Sequence, residues 1–378
     1  MRAWDEEELN RMRDVGDPLA DETVAELVAH SGEDQIDRAF AHMRRTDMDL
    51  PKDAPAPLRR FVEATARVPA GTDAARIKRG AELFLDNATL AALALLAKSL
   101  PAGYASPRLT QILHFTGNLE RHPYRRVLGV LQMLVNITQD GAFRDSGLAI
   151  VTGQKLRLLH AGVRHVVRNS FPAYAARFGT PICQEDLVYT IVTFSHHVIE
   201  ALGAFRAPRY AALAEDYFYL WRVYGELQGI RPEWMPQSLE DAGAFSDAYA
   251  RRNFVEAKDN PEGVELTQAD LRMMRELLPR WLRALGFGAL PKLMMARLLG
   301  PEAAARVGVR RHPGHYFLEW LLLEAPILWR KLWKHLAPSH AAHDAVSRLF
   351  FEALIARAWK GEVFYTVPLT RQDLQKLA

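Results

Sequence analysis

GLAIVTGQKLRLLHAGVRHVVR, residues Gly147–Arg168, is the stretch whose reading decides the fold class. Leu156, His160, Val163 and Val167 follow one another at steps of four, three and four, a spacing that belongs to a helix and not to an alternating strand. At ~3.6 residues per turn the stretch makes about six turns. A histidine therefore lies on the apolar stripe. Arg157 and Arg164 stand one turn before and one turn after it, toward the same flank. An imidazole bracketed by two guanidiniums is costly to bury without partners. Two kinds of partner answer that cost: an anionic cofactor carrying a metal, or carboxylates elsewhere in the chain, with His160 hydrogen-bonded as an ordinary core residue.

The segments on either side read the same way. Upstream, Asp21 precedes Val24, Leu27 and Val28 as a helix N-cap, PKDAPAPL (residues 51–58) is a loop, and a helix runs from Leu58 to Val68. Asp73 to Leu100 reads as one helix that Pro101 ends, apolar on nearly every side between Leu90 and Leu96. Pro123 to Asn136 is another, with Arg125 and Arg126 in its first turns, where positive charge is unfavourable unless an anion lies nearby. Downstream, Pro181 and the acids Glu185 and Asp186 open DLVYTIVTFSHHVIEALGAF, followed by the aromatic helix Tyr210–Leu227. Asp241 to Val255, a helix from near Thr267, Phe317 to Leu336 and Val346 to Trp359 complete the pattern. No alternating strand run, Gly-X-Gly turn or internal repeat occurs, so the fold class is all-α. The expected division is an N-terminal helical extension (1–57), a core (58–255) and a C-terminal helical region packed on it (256–378).

Composition narrows the function. The chain has 378 residues, 49% of them hydrophobic and 25% charged, the balance of a globular protein with a real core. The net charge of +3 is spread along the chain without a dense basic tract, which argues against nucleic acid as a partner. One cysteine, Cys183, excludes internal disulfides, CxxC redox chemistry and cysteine-rich zinc sites. MRAWDEEELNRMRD at the start holds no apolar signal region, and no run reaches ~18 apolar residues, so the expected location is cytoplasmic with no spanning helix. Phe317 to Leu336, with Arg330, Lys331 and Lys334, reads either as an interfacial amphipathic helix touching a membrane or as a packing helix with a solvated edge.

The familiar hydrolase, phosphate-loop, zincin and paired Glu-x-x-His di-iron signatures are absent. His196-His197, His312 with His315, and His340 with His343 remain. Adjacent helical histidines diverge by about 100°, so His196 and His197 are not expected to share a metal. Single-histidine ligation inside a helical shell is how haem is often held, its propionates suited to arginine.

Arg157-Leu-Leu-His160-Ala-Gly-Val-Arg164, then Pro181-Ile-Cys-Gln-Glu-Asp-Leu187 and Thr193-Phe-Ser195, resemble the rubber oxygenase family. These are the bacterial latex-clearing proteins, related to the fungal endoplasmic-reticulum-bound oxygenase of mycophenolic acid biosynthesis. The family pattern is R-L-x-H-A-x-V-R, then P-I-N-Q-E-D-L and T-F-S; here Cys183 stands for the asparagine. The resemblance runs from about Ala81 to Pro236. It implies a globin-like helical core around haem b, with His160 as axial iron ligand and Arg157 and Arg164 as cofactor-binding and catalytic neighbours. The implied reaction is oxidative cleavage of an isoprenoid C=C bond by dioxygen. The family's Arg-x-x-Lys-Thr element falls on Arg126, Gly129 and Val130, so Arg126 is a candidate catalytic residue while the lysine and threonine are missing. That departure points to a smaller isoprenoid or other lipophilic substrate. From a different class, a non-catalytic helical protein that binds lipid or another hydrophobic ligand accounts for the same apolar helices.

Overall fold

The computed structural model describes residues 2–31, 50, 52–116, 123–207, 209–278, 280–310 and 367–376. Among the described residues every regular element is helical and no strand occurs. In chain order the helices are α1 (Glu6–Asp14), α2 (Pro18–His30), α3 (Ala56–Ala64), α4 (Ala74–Asp86), α5 (Ala88–Gly103), α6 (Pro107–Phe115), α7 (Pro123–Thr138) and α8 (Leu148–Ser170). They continue as α9 (Pro172–Phe178), α10 (Gln184–Phe194), α11 (His196–Ala204), α12 (Tyr210–Leu227), α13 (Leu239–Asn253), α14 (Pro261–Leu277), α15 (Arg280–Ala284), α16 (Leu290–Arg306) and α17 (Arg371–Lys376). The helices read at Phe317–Leu336 and Val346–Trp359, with the membrane contact considered for the first, lie outside the described residues.

The stretch at Gly147 folds as its spacing predicts, and α8 is the long helix on which the others are arranged. It packs against α2, α7, α9 and α12. Asn136 of α7 donates from Nδ2 to Thr152 Oγ1 at 3.0 Å, fixing the α7–α8 register. α4 lies along α12 so closely that a Cβ at Gly80 would come within 2.4 Å of the Asp216 carbonyl. Only glycine allows that approach. Trp4, Leu9 and Met12 near the start, the aromatics of α12, and Leu266, Met273, Met295 and Val307 all belong to one buried cluster. The hydrophobic core is therefore continuous across the expected divisions at 57 and 255.

Several helix boundaries differ from the sequence reading: the helix read from near Thr267 starts at Pro261, capped by Asn260, and the differences at α2, Asn87 and Pro101 each have a local reason. Asp17, not Asp21, caps α2: its carboxylate accepts from the Ala20 N–H, and Pro18 occupies the first helical position. Asp21 is left free for another task. The helix read from Asp73 to Leu100 bends by 84° at Asn87, whose backbone leaves the helical region (φ −123°, ψ 25°) while its side-chain amide donates to the Leu83 carbonyl. Pro101 does not end α5, because Leu95–Ser99 widens to a π-turn in which the Leu100 N–H reaches back to the Leu95 carbonyl. The looser turn relieves the clash a proline makes with the carbonyl four residues back.

The predicted long helix after Pro181 is likewise two. Ser195 Oγ bonds the Ile191 carbonyl at 2.7 Å and the backbone turns there, dividing α10 from α11. Together, Gln184–Ala204 is long and apolar enough by composition to cross a membrane, yet most of it is buried inside the protein. It is a core element here.

Candidate active site

Along α8 nearly every residue from Ala149 to Val167 is buried; His165 is partly exposed on one side, and Leu156, Leu159 and His160 are partly exposed on another. These three sit at i, i+3 and i+4 and share one face. His160 is thus the polar group on an otherwise apolar, incompletely covered strip of the helix. Its Nδ1 is sealed from solvent and has no hydrogen-bond partner among the described residues. Burial, reinforced by the Arg164 charge, presses its pKa down to about 4 against a weaker opposing pull from Asp17. The imidazole is neutral at physiological pH, the state a metal ligand requires.

The two arginines find carboxylates of the chain itself. Arg157 grips Asp17 with both arms, Nε to Oδ2 at 2.7 Å and Nη2 to Oδ1 at 2.9 Å, and its guanidinium lies over the Phe61 ring. This is the planar two-point geometry that arginine forms with carboxylates. Arg164, 1% exposed, donates from Nε to Asp21 Oδ1 at 2.6 Å and from Nη1 to the Ile182 carbonyl at 3.0 Å. Its Nη2 is buried without a partner among the described residues. Of the two kinds of partner the sequence leaves open, Arg157 has a carboxylate of the chain, Asp17, on its Nε and Nη2. For Arg164 one buried donor remains open. Sequence reasoning missed Asp17 and Asp21; their four-residue spacing on one helix face was the signal.

Gly229 completes the Arg157–Asp17 lock. Its φ is +81°, and a Cβ there would sit 2.5 Å from Asp17 Oδ2 and 2.9 Å from Arg157 Nε. Any side chain would both strain the turn and wedge the pair apart.

The second half of the resemblance, Pro181–Leu187, is a knot of buried bonds. Ile182 takes φ +47°, a costly conformation for a β-branched residue, and its carbonyl is the one that Arg164 holds. Gln184 donates to the Gly16 and Gly229 carbonyls at 2.6 and 2.9 Å and accepts from the Arg231 N–H at 3.0 Å. Glu185 accepts from Arg13 Nε at 2.9 Å and Asn253 Nδ2 at 2.8 Å. Asp186 accepts from Arg108 at 3.2 and 3.0 Å and from the Tyr249 hydroxyl at 3.0 Å. Burial alone would raise the Asp186 carboxyl, but the Arg108 guanidinium outweighs it and holds the group below the usual range. Cys183 is inside the same node, receiving Arg108 Nη2 at 3.1 Å. Its thiol is driven well up by burial and by the Asp186 charge.

Gly129 and Val130, both partly buried, lie on α7, which packs on α8. Arg126 falls in the first turns of α7; its side chain is outside the described residues. His312, His315, His340 and His343 are likewise outside them. A further cluster involves the adjacent histidines: one donor atom each from His196, His197 and Glu200 lies within 4.8 Å of the others. The residues open α11 immediately after the Ser195 turn.

Among the described residues the shell is all helical, and His160 Nδ1 is a buried ring nitrogen without a partner on a partly covered apolar face of α8. Residues 81–325 match the model of the ER-bound oxygenase mpaB/B'/rubber oxygenase catalytic domain, and the chain belongs to that family of oxygenases. It is 27% identical to the rubber oxygenase of Streptomyces sp. (strain K30) over 304 residues, which cover 79% of this chain and 72% of that protein. Its fold is similar to that of latex clearing protein LCP in the closed state, with a TM-score of 0.70 at 23% identity over 91% of each chain.

Proposed function

We propose that the protein is a haem b-dependent oxygenase that cleaves a C=C bond of a hydrophobic, isoprenoid-like substrate with dioxygen, His160 being the axial iron ligand. The observation that carries this reading is His160 itself. Its ring is neutral, has no partner among the described residues, and stands on the partly covered Leu156–Leu159 face. When bound, the haem iron would supply the dioxygen chemistry.

The chain's own residues hold and shape the site. The Asp17–Arg157 and Asp21–Arg164 pairs fix the roll and height of α8, and so the direction of His160, which makes both arginines positioning residues. The remaining Arg164 Nη2 is the donor available to an anionic group near His160. The aliphatic strip of α8 suits an alkene and excludes water from it. Arg126 is retained as the candidate catalytic residue on α7. The relative from Streptomyces is named for rubber; Gly129 and Val130 in place of lysine and threonine favour a shorter lipophilic substrate here.

The test is to reconstitute purified protein with hemin and supply a short isoprenoid alkene under ¹⁸O₂. Labelled carbonyl products at one cleaved double bond are expected. A hemin-loaded protein that gives no oxygenated product with any polyisoprene or short isoprenoid would remove the catalytic part of the reading. The apolar character of Gly129 and Val130 also supports a second one, a non-catalytic carrier of hydrophobic ligands. That reading predicts co-purifying lipid and no hemin uptake.

A further inference from the structure

Beyond the His160 site, we propose that His196, His197 and Glu200 form a binding site for one divalent transition-metal ion of the Zn²⁺ class, set on the first turns of α11 just after the Ser195 break. The three side chains bring one donor atom each within 4.8 Å, and His196 Nδ1 is already 3.4 Å from Glu200 Oε2. Two ligands of a tetrahedral ion at ~2.0–2.1 Å are separated by about 3.3 Å, so that edge of the site has its bound dimension.

The free donor of each histidine is identified by what the other ring nitrogen does. His197, 7% exposed, bonds Ser246 Oγ through Nε2 at 3.0 Å, while its Nδ1 is buried with no partner. An outer hydrogen bond on one ring nitrogen is the device that orients metal-binding histidines and fixes their tautomer. His196 turns Nε2 toward Gly243, where an added Cβ would lie 3.1 Å away, and leaves Nδ1 beside Glu200 without hydrogen-bond geometry. Two buried imidazole nitrogens and a carboxylate, all unused by hydrogen bonds to one another, are a mixed N/O set suited to Zn²⁺ or Co²⁺.

A competitor is built in. Lys98 Nζ reaches the same Glu200 Oε2 at 3.0 Å, and Lys98 lies in the π-turn Leu95–Ser99. Such single-turn widenings often mark functional positions. Glu200, 45% exposed on its side chain, gives the ion a route from solvent. Exposed Asp247, whose charge acts on His196, is the fourth group within electrostatic reach. Binding exchanges the Lys98 contact for the ion and pins the start of α11.

The test is Co²⁺ titration of chelator-treated, hemin-free full-length protein, followed by ligand-field absorption and calorimetry. The expected result is one Co²⁺ per chain in a tetrahedral N/O environment, displaced by Zn²⁺, with a rise in melting temperature. Glu200→Gln, at a half-exposed position that leaves the core untouched, is expected to weaken binding about tenfold or more, and His196→Gln with it to abolish saturation. Ser246→Ala is expected to cost about tenfold through the freed imidazole. Lys98→Met is expected to tighten binding several-fold, and His160→Ala to leave it unchanged. No saturable uptake, or uptake of the same affinity in the natively folded Glu200→Gln/His196→Gln protein, would overturn the proposal.

Discussion

His160 is a base that the fold refuses to protonate. Its pKa stands near 4 against an ordinary 6.5, set by burial and by Arg164 and partly offset by Asp17. Between those two values the unfolded chain takes up a proton that the folded chain does not. Stability is therefore undiminished above pH 6.5 and falls as the pH drops toward 4, by at most about 3 kcal/mol. Urea unfolding of hemin-free protein at pH 7.0 and 5.0 measures this, with His160→Gln as control. The variant is expected to lose that share of the acid sensitivity; an unchanged pH slope would show that other groups carry it. Cys183 makes a second prediction at this scale. Sealed in the core with its thiol pushed up, it is expected to resist alkylation in the native protein and to react only after unfolding. Rapid native labelling would contradict the packing of the Arg108–Asp186 node.

At the scale of elements, what matters is how α2 and the turn before α10 grip α8. Asp17 and Arg157 are both largely buried, so removing one charge strands the other. Asp17→Asn is expected to destabilise the protein by about 3–5 kcal/mol, and an Asp17→Asn/Arg157→Met double variant by less than the sum, as a double-mutant cycle would read. Additive losses would mean that the two groups act independently. The sequence made α8, its stripe and the odd placement of its arginines visible, because helical period is a local signal. The acids that answer those arginines lie 140 and 143 residues away, a separation across which periodicity carries no information. The same limit applies to Gln184, Glu185 and Asp186. Their order matched a family pattern, but that they tie the start of α10 to α1, α6, α13 and the Gly229 turn emerges only from the fold. The nearness of donor atoms from the adjacent His196 and His197 was also hidden, because the 100° rule concerns Cα positions and not the ends of the side chains.

Across the whole molecule, one core joins α1 to α16. Trp4 stacks edge-on to Phe245 and donates to Asp241 at 2.9 Å, so the N-terminal segment is part of the body and not an appendage. Deleting residues 1–31 is expected to abolish cooperative folding, since it uncovers Arg157 and Arg164 together with the apolar cluster of α2, α3 and α8. A truncated chain that melted in one sharp transition near the parent temperature would refute that view. The all-helical class was legible from pattern alone. The bends at Asn87 and Ser195 were not, because each rests on one side chain bonding its own helix.

We propose that α8 serves to aim His160 at a haem iron. Iron content and the Soret spectrum of hemin-reconstituted wild type, His160→Ala, and His160→Ala with added imidazole test it in one series. Wild type is expected to hold one haem per chain with a histidine-ligated spectrum. His160→Ala is expected to lose tight binding or shift the Soret band, and imidazole to restore it. A His160→Ala protein that retained full iron and an unshifted Soret band would contradict the account.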